Sequence, residues 1–335
     1  MSKGTEVRVG VMGVGRMGQV HTHALHDAVG VALVGVADPN ENMAGEVAER
    51  YGVTAYTDPV ELLPSVDAVI ITSPENAHAD NAVAALEAGK HVLLEKPMAD
   101  TVEAGRRILD AVHRASGKFL MGYLLRHDPR YAQGKARVVK IGDLSMMYAR
   151  RRGVLAVPRR VAEWSPPIFY MGVHDIDQLL WYSGSEVVEV YAASSFKVLG
   201  GGLPDGLMAI LKFDNGAIAT LEVHWILPNE FNAPLEATLE VFGKNGFVRV
   251  NSLDQGVQAC IQGEGYEFPD VMHWPTINGR IAGDLRRQLD HFIRVIRTDE
   301  EPLCTAEDGF KSLRVARAII ESIESGKIVK LAHTS

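Results

Sequence analysis

Residues 9–18 read Val-Gly-Val-Met-Gly-Val-Gly-Arg-Met-Gly, and this stretch decides the fold of the N-terminal half of the chain. The apolar residues predict a buried strand, and the glycines that follow predict a tight turn into a helix. Gly13 allows the turn, Gly15 has no Cβ to obstruct a ligand, and Gly18 lets the helix pack closely on the strand. A second apolar run ends at Asp38, twenty residues beyond Gly18. This order of strand, turn, helix, strand and acid is typical of a dinucleotide-binding βαβ unit.

The same unit predicts which dinucleotide binds. The pyrophosphate would lie against N–H groups of the first helical turn, which begins with Arg16 and Met17. At the end of the second strand, the Asp38 carboxylate would accept hydrogen bonds from the ribose hydroxyls and repel the 2′-phosphate of NADP. We therefore expect NAD as the cofactor, with NADP as the less favoured alternative.

Composition and charge narrow the class of protein. The 335 residues suffice for two domains, and the hydrophobic fraction of 47% and charged fraction of 23% are ordinary for a soluble protein. The net charge of −8 is unlike that of a nucleic-acid-binding protein, and neither a signal peptide nor a membrane span is predicted. Cys260 and Cys304 match no disulfide or metal pattern, so we expect a cytoplasmic protein. His21, His23 and His26 are interpreted as exposed or capping residues, and no metal site is predicted.

Residues 1–123 alternate strand and helix signals, which predicts an α/β fold with a doubly wound parallel sheet, the Rossmann fold. The predicted strands are 7–12, 31–37, 68–72, 91–94 and 119–121, and the predicted helices are 17–26, 42–51, 77–88 and 101–115.

Residues 124–335 change rhythm and predict a second, α+β domain with a large, mostly antiparallel open sheet. Alternating apolar and polar residues predict strands at 144–152, 187–197, 207–213, 217–226, 237–242 and 246–250. Asn-Gly pairs at 215–216 and 245–246 predict hairpin turns, and helices are predicted at 281–297 and 305–325. An open sheet face would expose a large apolar surface, so we expect a homodimer or homotetramer formed through this sheet.

Residues 89–97 read Gly-Lys-His-Val-Leu-Leu-Glu-Lys-Pro and place a lysine just beyond a strand of the first domain. Ligands in such folds bind beyond the carboxyl ends of the strands, so Lys96 is expected in the nicotinamide crevice. There it could donate a hydrogen bond to a substrate oxygen. The alternative is a surface lysine, but Pro97 restricts the preceding backbone and gives Lys96 a defined direction.

Residues 170–181 of the second domain predict a helix with a titratable pair on one face. Tyr170, His174, Asp177 and Trp181 would form a single stripe at helical spacing. Asp177 could orient the imidazole of His174, whose other nitrogen would face a substrate hydroxyl. The alternative is an amphipathic helix with a buried, hydrogen-bonded histidine and a helix-capping aspartate.

Arginine and aromatic side chains provide candidates for substrate binding. Strand alternation sends Arg150 and Arg152 to one face and Arg151 to the other. Arg152 could bind a carboxylate or phosphate, although charge runs are usually solvated faces. Arg126 lies at the domain junction and is the stronger candidate for a pocket wall. Aromatic rings that could pack on a sugar, or belong to the core, are those of Trp164, His224, Trp225 and Trp274.

The motifs taken together resemble the Gfo/Idh/MocA family, which includes glucose–fructose oxidoreductase and inositol dehydrogenase. The resemblance rests on the glycine fingerprint, the Ser-Pro-Glu-Asn-Ala-His segment at 73–78, the Glu95-Lys96-Pro97 triplet and Gly172-x-His174-x-x-Asp177. It implies hydride transfer between NAD(P) and a ring hydroxyl or ketone of a sugar, sugar derivative or cyclitol.

The resemblance also implies roles for individual residues. Lys96 would bind the reacting oxygen, and His174 would act as general base in oxidation and general acid in reduction. The cofactor site would include residues of the first-domain motifs: Ser73, Pro74, Asn76, His78, Glu95 and Lys96.

The chain departs from relatives at one position. Where relatives often carry aspartate, four residues before the histidine, this chain has Tyr170, which donates a hydrogen bond but is not a charged acceptor at neutral pH. The substrate of inositol dehydrogenase therefore does not carry over directly. Two alternatives stay open: a regulatory protein that senses NAD and a sugar without catalysis, and a reductase of a non-sugar cyclic carbonyl compound.

Overall fold

The computed structural model describes residues 6–162, 165–231, 233, 235–253, 255–262 and 265–333. The chain divides into two units, one of residues 1–127 with 272–310 and one of residues 128–271 with 311–335. The segment 272–310 groups with the first unit although it follows the second unit in the chain. The domain boundary expected between residues 123 and 124 stays a prediction.

The first unit contains a six-stranded, all-parallel sheet, which confirms the predicted Rossmann fold. Its order is β3-β2-β1-β4-β5-β6, and the chain therefore reverses direction across the sheet between β1 and β4. The strands are β1 (Val7–Met12), β2 (Val31–Ala37), β3 (Thr54–Tyr56), β4 (Ala68–Ile71), β5 (His91–Glu95) and β6 (Phe119–Gly122). Only β3 was not predicted, because its three residues are mostly exposed and form no apolar run.

Helices connect these strands and bring every strand's carboxyl end to one edge of the sheet. Asn40 and Thr101 cap two of the helices, accepting hydrogen bonds from the N–H groups of Met43 and Ala104. The helices are α1 (Arg16–His26), α2 (Glu41–Tyr51), α3 (Pro59–Leu62), α4 (His78–Glu87) and α5 (Val102–Arg114). The carboxyl edge at the β1/β4 reversal is where open α/β sheets bind their ligands.

The second unit contains a seven-stranded sheet in the order β12-β11-β7-β10-β9-β8-β17. Only β7 and β10 pair in parallel within it, so the prediction of a mostly antiparallel sheet is confirmed. The unit's elements are α6 (Pro129–Ile141), β7 (Leu144–Val154), α7 (Pro158–Val161), α8 (Val173–Ser183), β8 (Val187–Ser195), β9 (Gly206–Phe213), β10 (Ile218–Leu227), β11 (Leu235–Gly243), β12 (Gly246–Asn251), β13 (Ala259–Ile261), β14 (Gly265–Glu267) and, after the return to the first unit, β17 (Val329–Lys330).

Alternation along the strands gives this sheet a buried and an open face. Helix α8 packs on β7 and β10, and α6 packs on β11 and β12. Residues such as Ala149, Leu221, Val223 and Leu239 are buried beneath these helices, whereas their neighbours in sequence point to the open face.

The returning segment adds the short strands β15 (Thr276–Ile277) and β16 (Arg280–Ile281) and helix α9 (Gly283–Thr298) to the first unit. Helix α9 packs through Leu285, Leu289 and Phe292, and the boundary between the units falls within α10 (Ala306–Ser325). Among the described residues, no helix combines the length and apolar character needed to cross a membrane.

A buried histidine in the first unit makes folding sensitive to pH. His127 lies in a 3₁₀ turn against α9, with its ring centroid 5.2 Å from that of His291. Burial, together with the positive charges of His291, Arg126 and Arg294, lowers the pKa of His127 to about 3. In the unfolded chain this histidine has an ordinary pKa and binds a proton as the pH falls below about 6.5. In the folded chain it stays neutral over the same range, so lower pH favours unfolding.

We expect His127 to reduce the free energy of unfolding by about 2 kcal/mol at pH 5 relative to neutral pH. Urea unfolding of wild type and His127→Phe at both pH values measures this effect. In the variant, the free energy of unfolding should no longer fall by this amount between neutral pH and pH 5. His26→Gln, at an exposed position, is the control. The expectation would be contradicted if the free energy of unfolding changed equally with pH in wild type and in His127→Phe.

Candidate active site

The glycine turn connects β1 to α1 and packs against the residues that follow β4, at the reversal point of the sheet. Gly13 has φ +93°, and a Cβ added there would lie 2.6 Å from the backbone nitrogen of Ser73. Thr72 Oγ1 donates a hydrogen bond to Gly13 O at 2.6 Å. Gly18 is as closely packed, because its Cβ would lie 1.9 Å from the same carbonyl oxygen. Both glycines are therefore required by packing within the protein.

Gly15 has a different environment, which fits a bound dinucleotide. A Cβ built there would have no described atom within 4 Å beyond its chain neighbours, so packing within the protein does not explain a glycine. Gly15 is also the N-cap of α1, and it provides no side-chain cap for the first helical turn. Exposed Arg16 and half-buried Met17 follow it. The open space and the uncapped N–H groups form a cradle suited to a pyrophosphate.

Asp38 follows β2 and its carboxylate is held by the backbone. Oδ2 accepts a hydrogen bond from the N–H of Val14 at 2.9 Å, and Oδ1 accepts one from the N–H of Asn40 at 2.9 Å. The first contact ties Asp38 to the glycine turn. A carboxylate has about four acceptor positions, so two backbone bonds leave capacity for ribose hydroxyls.

The segment after β4 divides into exposed and buried members. Pro74 and Asn76 are exposed and Ser73 is half-buried, with Ser73 Oγ accepting a hydrogen bond from Asn81. His78, in contrast, is 1% exposed, and Nδ1 and Nε2 each lie 2.8 Å from a carbonyl oxygen, of Pro97 and Ser73 respectively. The expectation that His78 contacts the cofactor does not fit this geometry, because both ring nitrogens already face the backbone.

Lys96 is half-buried and directly follows β5, at the carboxyl edge of the sheet, as expected. Its neighbour Glu95 was expected to contact the cofactor but is 4% exposed, and its carboxylate is engaged within the protein. Glu95 Oε1 lies 2.8 Å from His21 Nε2, and Oε2 accepts the backbone N–H of Lys96. Burial alone would raise the pKa of Glu95, but the hydrogen bond from His21 and the nearby charges lower it below its ordinary value.

His21 was interpreted from the sequence as exposed or capping, and this was wrong. Its side chain is fully buried on the face of α1 that also buries Gly18, Thr22 and Leu25. The spacing of three residues from Gly18 and four from Leu25 would have indicated that face. A histidine among apolar residues on the packed side of a helix needs a polar partner, and that partner is Glu95.

In the second unit, His174 is the second residue of α8 and is half-buried. One π-helical turn, Ile168–Gly172, precedes this helix and contains half-buried Tyr170. The predicted single α-helical stripe from Tyr170 to Trp181 is therefore wrong at its start, because a π turn holds more residues than an α turn and rotates Tyr170 relative to His174. The Tyr170 ring lies 6.4 Å from that of Trp225, which is fully buried.

A buried ion pair anchors the helix that carries His174. Arg151 of β7 donates from Nε and Nη2 to the two carboxylate oxygens of Asp175 at 2.6 and 3.1 Å. Burial alone would lower the pKa of Arg151, but the adjacent Asp175 carboxylate raises it, so the guanidinium is charged. Strand alternation predicted the face on which Arg151 lies but not its partner, because alternation does not say which of the nearby acids reaches it.

The remaining predicted substrate residues lie in varied environments. Arg126 is 4% exposed and donates to Leu303 O and Asp308 in the first unit, which indicates a structural role rather than a pocket wall. Asp177 is 1% exposed and accepts a hydrogen bond from Gln178, so it is better suited to support α8 than to contact a substrate. Trp164 lies outside the described residues.

Arg152 is directed away from His174. Its neighbour Arg151 reaches α8, so alternation sends Arg152 to the open face of the sheet. There its Nε donates to Glu222 at 2.8 Å, and Arg150 pairs in the same way with Glu236. These ion pairs fit the alternative interpretation of the arginine run, a charged face of the sheet, rather than substrate binding.

Comparison with known proteins gives matches over both parts of the chain. Residues 7–123 match the family model described as oxidoreductase family, NAD-binding Rossmann fold, and residues 138–331 match its C-terminal alpha/beta domain. The scyllo-inositol 2-dehydrogenase (NAD(+)) of Bacillus subtilis (strain 168) is 29% identical over 97% of this chain and 96% of its own. Inositol 2-dehydrogenase 1 of Saccharopolyspora erythraea is 31% identical over 97% and 96%. The crystal structure of a myo-inositol dehydrogenase from Corynebacterium glutamicum is similar with a TM-score of 0.80 and 25% identity, covering 98% of this chain and 100% of that one.

Proposed function

Because the chain belongs to the Gfo/Idh/MocA oxidoreductase family, we propose that it oxidises a ring hydroxyl of a cyclitol or sugar, with NAD as hydride acceptor. It is a dehydrogenase acting on CH–OH groups, and its Rossmann domain binds NAD. The observation that carries the proposal is the open cradle at Gly15, on the same sheet edge as Lys96. Relatives named as inositol dehydrogenases across nearly the whole chain support a cyclitol as the substrate class.

The proposed reaction needs two side chains at the reacting oxygen. Bound NAD supplies the nicotinamide carbon that takes the hydride from the carbinol carbon. His174 accepts the hydroxyl proton, and the Lys96 ammonium donates a hydrogen bond to the oxygen as negative charge develops on it. In the reverse direction His174 returns the proton to the carbonyl oxygen. Tyr170 donates a further hydrogen bond to a substrate hydroxyl.

The proposal is tested by mixing the purified protein with NAD and a panel of cyclitols and sugars, including myo-inositol, scyllo-inositol and glucose. NADH absorbance is the readout, and we expect it to rise with at least one cyclitol. Binding of NAD without reduction across the panel would favour the sensing protein. A parallel assay mixes the protein with NADH and cyclic ketones. Oxidation of NADH by non-sugar ketones alone would favour the carbonyl reductase.

Asp38 determines the preference for NAD in this proposal. Asp38→Ala is expected to raise kcat/KM for NADP relative to NAD by about ten- to a hundredfold, since the repulsion of the 2′-phosphate is lost. Initial rates with each cofactor at saturating substrate measure the ratio. Asp110→Ala, an exposed change on α5, is the control and should leave the ratio unchanged. A wild-type protein that uses NADP better than NAD would contradict the assignment.

We also propose that a second copy of this chain covers the open face of the seven-stranded sheet. Large apolar side chains on that face are exposed across several neighbouring strands, and contiguous exposed apolar surface commonly marks a protein–protein interface. They are Met146, Tyr148, Tyr191, Met208, Ile210, Ile218 and Phe247. Light scattering coupled to size-exclusion chromatography should give the molar mass of a dimer or tetramer. The Ile210→Lys variant should have a lower molar mass. A monomeric wild type would contradict the assembly.

A further inference from the structure

Two buried histidines hold the backbone on either side of Lys96. His21 contacts Glu95, the residue before Lys96, and His78 contacts the carbonyl oxygen of Pro97, the residue after it. The two histidines come from α1 and α4, on different parts of the first unit. We propose that His21 and His78 are positioning residues that fix the Lys96 ammonium in the place where it meets the reacting oxygen. This inference rests on the proposed function, in which Lys96 binds that oxygen.

The contact between His21 and Glu95 fixes the amino side of the Lys96 segment. Within the described residues, His21 Nδ1 has no hydrogen-bond partner, so the ring proton belongs on Nε2, where it is donated to Glu95 Oε1 at 2.8 Å. The other carboxylate oxygen, Oε2, accepts the backbone N–H of Lys96 at 3.2 Å. Glu95 therefore links a helix side chain to the backbone of Lys96 through its two oxygens.

The contacts of His78 fix the carboxyl side of the segment. Nδ1 lies 2.8 Å from Pro97 O, and Nε2 lies 2.8 Å from Ser73 O at the end of β4. A carbonyl oxygen only accepts, so each hydrogen bond requires a proton on that nitrogen, and only the protonated ring makes both at once. Burial opposes this charge and lowers the pKa of His78, whereas Glu75 and Glu95 favour it. The contact that holds the Lys96 segment is the one between Nδ1 and Pro97 O, and it ties this segment to α4, where His78 is the first residue.

Stability alone does not account for these groups. When both partners of a buried hydrogen bond are replaced by apolar groups of the same shape, the free energy of unfolding often changes little. Positioning is a different requirement, because a shift of about 1 Å in a catalytic group can cost about a hundredfold in rate. Lys96 is the single residue between the two anchored positions, so both anchors act on its backbone.

The test compares leucine and glutamine variants of the 335-residue protein. His21→Leu and His78→Leu are expected to lower kcat by about ten- to a hundredfold, with the Kd of NADH changed less than about twofold and the KM of the cyclitol changed less than kcat. His21→Gln, whose amide can donate to Glu95, should recover most of the lost kcat. The control is His91→Gln at the other end of β5, where the histidine accepts the backbone N–H of Lys118 and glutamine can replace it as acceptor.

A second measurement does not depend on turnover. Hydrogen exchange of the peptide that contains the Lys96 amide should be at least about tenfold faster in His21→Leu than in wild type, and unchanged in His91→Gln. If His21→Leu does not fold, His21→Asn, which is too short to reach Glu95, is compared with His21→Gln in its place.

The outcomes separate this inference from the proposed function. A wild-type protein that forms no NADH with any cyclitol or sugar contradicts the proposed function, while the exchange measurement still reports whether the anchors hold Lys96. An active wild type whose folded His21→Leu and His78→Leu variants keep wild-type kcat overturns the inference. So does an equal loss of kcat in His91→Gln.

Discussion

Replacement of Lys96 by methionine is expected to lower kcat by about a thousandfold while leaving the Kd of NADH within about twofold of wild type. Methionine keeps the length and apolar stem of lysine but removes the ammonium that stabilises negative charge on the reacting oxygen. Such a loss corresponds to about 4 kcal/mol of transition-state stabilisation. Steady-state oxidation of the best cyclitol measures kcat, and quenching of protein fluorescence by NADH measures binding.

The control for this change is Lys90→Met, just before the same strand. Lys90 donates a hydrogen bond to Val66 O at 2.9 Å, so its replacement removes a lysine ammonium and its hydrogen bond without touching the carboxyl edge of the sheet. Its kcat should stay within about twofold of wild type. Turnover by Lys96→Met at the wild-type rate would remove Lys96 from the mechanism.

Replacement of His174 by asparagine is expected to lower kcat for oxidation by about a hundred- to ten-thousandfold, because the hydroxyl proton loses its acceptor. Asparagine is uncharged and can still form hydrogen bonds at the start of α8, so the helix should keep its position. Added imidazole should restore part of the rate, since it can serve as a proton acceptor in the space left by the side chain. Rates with and without imidazole over a range of pH measure both effects.

His333→Asn is the control for this second change, since His333 is an exposed histidine of the same unit. Its turnover and pH profile should match those of wild type. A wild-type rate for His174→Asn would show that another group accepts the proton. A reduced rate that imidazole leaves unchanged in a folded variant would assign His174 a role other than proton transfer.

The parallel sheet of the first unit could be predicted closely from the sequence. Strands buried on both faces read as continuous apolar runs, and β1 and β2 begin and end at the predicted residues. The short, exposed β3 lacked this signal. Glycine positions were similarly informative, because Gly13 and Gly18 are required by local backbone geometry.

The π turn at Ile168–Gly172 shows where periodicity stops being informative. An α-helical stripe can be read from spacing, but one extra residue per turn leaves no mark in the pattern of apolar residues. The relation of Tyr170 to His174 therefore could not be predicted. The partner of Arg151 could not be predicted either. Alternation along β7 predicted the face on which Arg151 lies, but its pairing with Asp175 depends on how α8 packs on β7.

The fold class, the glycine turn with Asp38 and the place of Lys96 at a strand end could all be predicted from the sequence, because each depends on residues close together in the chain. Which of these residues make their contacts within the protein became visible only in the three-dimensional structure. His78 and Glu95 share motifs with the expected cofactor residues, yet they bind the backbone and His21 instead. Those contacts join residues 19 and 74 positions apart, and local spacing carries no information on such distances.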